Sequence, residues 1–148
     1  MRTLTVTTLA AAGLLSLATG AGAATHANNH LTVTGQASHL RPVVGEVENV
    51  RWTVTNAGDG HLDRVRLIAS VPNGWTVKDG PGCTHAGANL RCELGGLDAG
   101  RRASVDIPMV VHRPVGAVQL RAWAAGSVGK LNVPGPETSF QVVVVGHR

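Results

Sequence analysis

The sequence predicts an all-β fold, an antiparallel sandwich of about seven to eight strands, and three observations carry that expectation. Beyond residue 30 apolar and polar residues alternate with a period of two. No window keeps the 3.6-residue period of an amphipathic helix. Clusters of Gly, Pro and Asn interrupt the alternation at the spacing expected of short antiparallel strands. Each such strand presents one apolar face, and packing two sheets against each other is the simplest way to bury those faces.

The first short strand is expected at residues 31–34, followed by Arg41-Pro42, where the chain must be extended or turning. Residues 50–55 give the clearest strand: Val50, Trp52 and Val54 share one face, Arg51, Thr53 and Thr55 the other. Asn56-Ala57-Gly58-Asp59-Gly60 ends it, because Asn and Gly tolerate the conformations of tight turns. The strand at 64–71 puts Val65, Leu67, Ala69 and Val71 inward, with Arg64 and Arg66 toward solvent, and Pro72-Asn73-Gly74 stops it. A short strand at 75–77 and a polar turn at 78–82 precede a hairpin over 83–93 with its tip at residues 85–88. Residues 95–100 are expected as a loop. The next strand carries Ala103, Val105, Ile107, Met109 and Val111 inward, and Pro108 falls on its outward side, tolerable at a sheet edge or bulge. After a turn at Pro114 and Gly116, Val118, Leu120, Ala122 and Ala124 form another inward set, opposite Gln119, Arg121 and Trp123. A loop at 126–137 and a last strand at 139–145 complete the expected fold.

Residues 1–23 do not belong to it. Arg2 precedes an apolar run from residue 4 to 17, and Ala21-Gly22-Ala23 offers the small-x-small site of a signal peptide, with cleavage expected before Ala24. The run is short for a transmembrane helix and contains several threonines. The domain then spans 31–146, after a flexible tail at 24–30. Loss of Arg2 leaves twelve basic residues against nine acidic ones, a mild excess of +3. These basic residues are scattered and aromatics make up only 3% of the chain, a pattern that excludes the basic, ring-bearing stripe of a nucleic-acid binder. Eleven of the thirteen basic residues are arginine, which together with abundant Ala, Gly and Val suggests a high-GC bacterial genome such as an actinobacterial one.

Cys83 and Cys92 are the only cysteines, and in an exported chain an oxidising compartment favours pairing them. Closing a loop of about ten residues contributes about 2.7 kcal/mol in the chain-entropy picture. The rival reading is a metal site, but two thiols with His85 between them fall short of a zinc set.

Four segments, taken together, resemble a known bacterial family. Val54-Thr55-Asn56-Ala57-Gly58, Val71-Pro72-Asn73-Gly74-Trp75, the cysteine pair, and Leu97-Asp98-Ala99-Gly100 before a long alternating strand are similar in order and spacing to the conserved-repeat immunoglobulin-like domain called domain of unknown function 11. The resemblance covers residues 31–145. It implies an immunoglobulin-like sandwich, exported and used at bacterial surfaces and walls as a spacer or adhesive module, with no family-wide active site. A single copy without a C-terminal anchor departs from the usual tandem array, and leans the expectation from spacing toward binding, secreted freely or held at the wall by a partner.

No Gly-x-Ser-x-Gly, His-Glu-x-x-His or phosphate-cradling glycine loop occurs, so no enzyme, catalytic residue or cofactor is expected. Asp59, Asp63 and Asp98 are too few and too dispersed for a calcium site. His26, His30 and His39 could bind copper or zinc weakly from a mobile segment, which keeps open an alternative function as a small-ligand or metal carrier through these histidines or the sandwich mouth. Trp52 reads as core and Trp75 as packing at a sandwich end. Trp123 is different, because its phase points it away from the core beside Arg121, and exposed Trp and Arg are enriched at binding sites. These two residues are the candidate contact for a protein or cell-wall polymer.

Overall fold

In the computed structural model the described residues are 29–78 and 82–147. The expected leader and most of the expected tail lie outside them. Among the described residues nine strands follow in order: β1 (Leu31–Ala37), β2 (Val47–Asn56), β3 (Leu62–Ser70), β4 (Trp75–Val77), β5 (Cys83–Ala86), β6 (Asn89–Leu97), β7 (Arg102–Val111), β8 (Gly116–Val128) and β9 (Leu131–Val144). They form a four-stranded sheet of order β1-β2-β7-β4 and a five-stranded sheet of order β5-β6-β3-β8-β9, with every strand pair antiparallel. No helix of the described residues is long and apolar enough to cross a membrane.

The alternation read from the sequence is the alternation that builds the core. Val50, Trp52 and Val54 of β2 and Val105, Ile107, Met109 and Val111 of β7 face Val65, Leu67 and Ala69 of β3 and Leu120, Ala122 and Ala124 of β8 across the sandwich, all buried. β2 carries the inward phase further than its apolar residues. Glu48 and Asn56, two places beyond each end of the Val-Trp-Val set, are buried at 1% and 0% exposure.

Both polar residues are satisfied. The Glu48 carboxylate accepts from Ser38 Oγ and the His39 backbone N–H, each at 2.8 Å, and lies 3.1 Å from His39 Nδ1, so it ties the connection after β1 to the core. Asn56 Nδ2 donates to the carbonyls of Gly60 at 2.7 Å and Leu97 at 2.9 Å, while its Oδ1 accepts from Gly58 N–H at 3.1 Å. Its backbone carbonyl accepts from Gly100 N–H at 2.7 Å. One asparagine therefore holds the β2–β3 loop and the β6–β7 turn together.

Several expected boundaries are corrected. Residues 126–137 are not a loop: β8 and β9 pair as far as Val128↔Leu131, leaving only Gly129 and Lys130 as the turn. Pro134 and Pro136 suggested a break, yet β9 is an edge strand, where a missing N–H costs no ladder bond, and the pairing shifts register between Trp123 and Ala125. The expected loop at 95–100 shrinks likewise, because β6 continues to Leu97, opposite Leu62, across a register shift near Val65. The hairpin tip is Gly87-Ala88 alone, with His85 and Ala86 in β5. β1 runs three residues beyond the expected strand, placing Gly35 opposite Trp52.

Pro108 sits within β7, between β2 and β4. Its carbonyl accepts from Lys78 N–H at 2.9 Å, so its own nitrogen faces the same side, just past the end of β4. Residues 40–44 run beside the end of β9, with the Val143 and Val145 N–H groups donating to the Leu40 and Pro42 carbonyls, both at 2.9 Å. Gly74, with φ +79°, lets the chain turn tightly after Pro72; a Cβ there would meet the Arg113 carbonyl oxygen at 2.6 Å.

Cys83 and Cys92 are direct cross-strand partners in the β5–β6 hairpin and form a disulfide with a Cα–Cα distance of 4.2 Å. It fastens the edge strand β5 to β6, whose Leu90 and Cys92 reach the core. Disulfides of this kind persist in oxidising compartments.

Candidate binding face

The inward set of β8 leaves Gln119, Arg121 and Trp123 on the opposite side of the five-stranded sheet. Trp123 lies on that outer face, half-buried, between buried Ala122 and Ala124. Its strand neighbours fix what surrounds it, because directly opposed residues share a face. Ile68 of β3 stands on one side and Glu137 of β9 on the other, and Ile68 is in turn opposite Arg91 of β6. One row along, Arg121 is opposite Ser139; its Nε and Nη2 donate to Gln119 Oε1 at 3.2 and 2.8 Å, which holds the guanidinium over the sheet.

In the other direction come Arg66, whose Nε donates to Glu93 Oε1 at 2.9 Å, and then Arg64 opposite Ser127. A shallow groove of about 700 Å³ opens here, lined by Arg64, Arg66, Ser127, Lys130, Asn132 and Pro134 among others. The structure thus joins the two expected residues to cations that sequence reading left unconnected. Arg64 and Arg66 were legible as solvent-facing. Arg91 was not legible as a neighbour of Trp123, since only the strand order β6-β3-β8-β9 brings it to that face, and Lys130, in the β8–β9 turn, lines the groove with Arg64 and Arg66.

The outer face of the four-stranded sheet has a different chemistry. Thr32, Thr34, Thr53 and Thr55 pair across β1 and β2, and Thr53 Oγ1 lies 2.7 Å from Ser104 Oγ. Arg51 grips Asp106 with two bonds, Nε to Oδ1 at 2.7 Å and Nη2 to Oδ2 at 2.9 Å. That hydrogen bonding holds the Asp106 carboxyl below the usual carboxylate range and raises the Arg51 guanidinium further. The pair is exposed and adds little to stability.

The histidines of the carrier alternative do not converge. His30 precedes β1 and His39 follows it, at opposite ends of a seven-residue strand, while His26 lies outside the described residues. His39 is engaged with Glu48. Of the loop aspartates, Asp98 Oδ1 lies 2.6 Å from His61 Nδ1, and Asp63 Oδ2 accepts from Gly129 N–H at 2.6 Å. Among the described residues no group of three or more His, Cys, Asp or Glu side chains is placed to hold a metal ion.

No family model matches the chain, and no curated protein is significantly similar to it. Solved structures do resemble it. A cohesin module from a Clostridium perfringens family 33 glycoside hydrolase superposes with a TM-score of 0.58 at 11% identity, covering 80% of this chain and 99% of that one. The CARDB domain of the PF1109 protein from Pyrococcus furiosus, solved in complex with di-metal ions, gives 0.52 at 16% identity over 79% and 89%. AvmM, which catalyses macrocyclization in alchivemycin A biosynthesis, gives 0.54 at 9% identity over 82% and 91%. At such identities the likeness establishes the immunoglobulin-like sandwich. Because that architecture serves both binding modules and an enzyme, function has to be argued from the face itself.

Proposed function

We propose that this protein is a non-catalytic interaction module, exported to the extracellular space or cell wall, that engages a protein or wall polymer through the outer face of its five-stranded sheet. The observation that carries this reading is Trp123. An indole is a large apolar group, and here it is kept out of the core on the outer face of the sheet with arginines around it. The disulfide, together with the leader expected from the sequence, supports export. Membership of the conserved-repeat family is part of the proposal. The residues that suggested it have interlocking roles: Asn56 bonds to Gly58, Leu97 and Gly100, Gly74 permits a tight turn, and the cysteines staple an edge.

The test is co-sedimentation of the mature protein with purified bacterial cell walls, and capture of proteins from culture supernatant, for wild type and Trp123→Ala. The variant is expected to keep its fold, since no core contact is removed, and to lose about tenfold or more in capture. Unchanged capture by a folded Trp123→Ala protein would refute the assignment of this face.

A further inference from the structure

Resting on that reading, we infer that the face is built for an acidic polysaccharide: sugar rings stack on Trp123, and carboxylates carried on those rings meet Arg64, Arg91, Arg121 and Lys130. The charge distribution is the first argument. Arg64, Arg66, Arg91, Arg121 and Lys130 lie on or beside this face, against Glu93, Glu137 and, at the β8–β9 turn next to Lys130, Asp63. Glu93 is taken up by Arg66. The other four cations are exposed and make no ion pair with another described residue. On the opposite face Arg51 is matched by Asp106 and Arg102 is the unpaired arginine among the described residues, so more of the uncompensated charge of the two faces lies around the tryptophan.

The second argument is spacing. From Arg121 to Ser127, which lies opposite Arg64, β8 covers about 20 Å at the rise of an extended strand. A single small anion cannot reach both ends, whereas a chain of anionic units can. Trp123 and Arg121 are alternate residues of one strand, about 7 Å apart, so a ring stacked on the indole brings a carboxylate on that ring, or on the next, within reach of the guanidinium. A polyol-phosphate chain would supply charge without a ring face.

The third argument is what the face lacks. Trp123 and Ile68 are its large apolar side chains near the centre, too few for the apolar centre of a protein interface. One indole also makes a poor platform for successive nucleobases. A hydrated polyanion with flat ring faces asks for no more apolar surface than is present.

Affinity electrophoresis of the mature protein through gels containing polygalacturonate tests this directly, with neutral dextran, inorganic polyphosphate and anionic phosphatidylglycerol vesicles as comparison probes. Polygalacturonate is expected to retard the wild type and dextran not to. Trp123→Ala and the double variant Arg91→Gln/Lys130→Gln should each weaken the interaction about tenfold, and salt should weaken it further, while Arg102→Gln on the other sheet leaves it unchanged. Both variants alter exposed or half-exposed positions, and a thermal melt beside each confirms the fold. Polyphosphate binding as tight as polygalacturonate and indifferent to Trp123→Ala would reduce the face to a charge patch and overturn the inference. Binding to vesicles alone, or equally to dextran, would overturn it too. If no polyuronate binds yet Trp123→Ala still abolishes cell-wall or supernatant capture, the polymer chemistry is wrong and the face is right. If that capture is unchanged, both fall.

Discussion

Asn56→Ala is expected to lower the free energy of unfolding by about 3 kcal/mol, a large share of the 5–15 kcal/mol of an ordinary domain. The side chain is fully buried and makes three hydrogen bonds to the backbone of two loops. Truncation leaves the Gly60 and Leu97 carbonyls and the Gly58 N–H without that partner, the Leu97 bond in a buried site and the other two in partly buried ones. The cost is therefore set by groups left unsatisfied, which is larger than the net worth of the bonds. Asn56→Asp has nearly the same shape, but at pH 7 it offers neither carbonyl a donor and should lose at least as much. Urea unfolding followed by fluorescence measures both variants. A loss below about 1 kcal/mol for the alanine variant would show that the loops hold together without the lock.

Gly35→Ala should be nearly as damaging, by about 2–3 kcal/mol, for a packing reason. Gly35 is directly opposite Trp52, and a Cβ added there would come within 3.0 Å of Trp52 Cζ3 and Cε3 and of Phe140 Cε1. Those rings pack with centroids 5.3 Å apart, tilted by 55°, and Trp52 is 1% exposed. Trp52 cannot withdraw without disturbing the core, and Phe140, partly buried, packs against it from β9. Gly35 is not among the residues with positive φ, so backbone strain does not enter. Urea unfolding gives the magnitude, and the near-ultraviolet dichroism of the Trp52 region should change with it. A neutral variant with an unaltered spectrum would mean that the methyl is accommodated.

Both positions show how far the sequence could be read. The inward sets of β2, β3, β7 and β8 were legible because each strand buries one face, and a period of two records that directly. The same period, extended two residues past Val50 and Val54, lands on Glu48 and Asn56, so their burial was implied, but polar side chains look like the ends of a strand. Gly35 carries no mark that distinguishes a glycine under an aromatic ring from one in a turn. Residues 126–137 misled for a local reason, since Gly and Pro clusters signal turns, and only the position of β9 at a sheet edge makes them compatible with a strand.

The binding face was half legible. Trp123 and Arg121 declare themselves by being in the outward phase of a strand with a clear inward set. Arg64 and Arg66 showed the same outward phase without any sign of their neighbours. Arg91 lies 32 positions before Trp123 in the chain, and Lys130 sits in what reads as loop. Arg91 reaches the face through the order β6-β3-β8-β9, which is fixed by long-range pairing and leaves no periodic trace in the sequence, and Lys130 through the tight β8–β9 turn that stands where a longer loop was expected.

The central claim, that this protein binds through the outer face of its five-stranded sheet, is tested most directly by amide and indole chemical-shift mapping of the labelled mature protein during titration with soluble cell-wall fragments. The account predicts that shifts concentrate on the Trp123 indole N–H and on the outward residues of β3, β6 and β8 around it, Arg66, Ile68, Arg91 and Arg121. Shifts gathered instead on Thr32, Thr34, Thr53 and Ser104 of the four-stranded sheet, with the Trp123 indole unmoved at saturation, would contradict it.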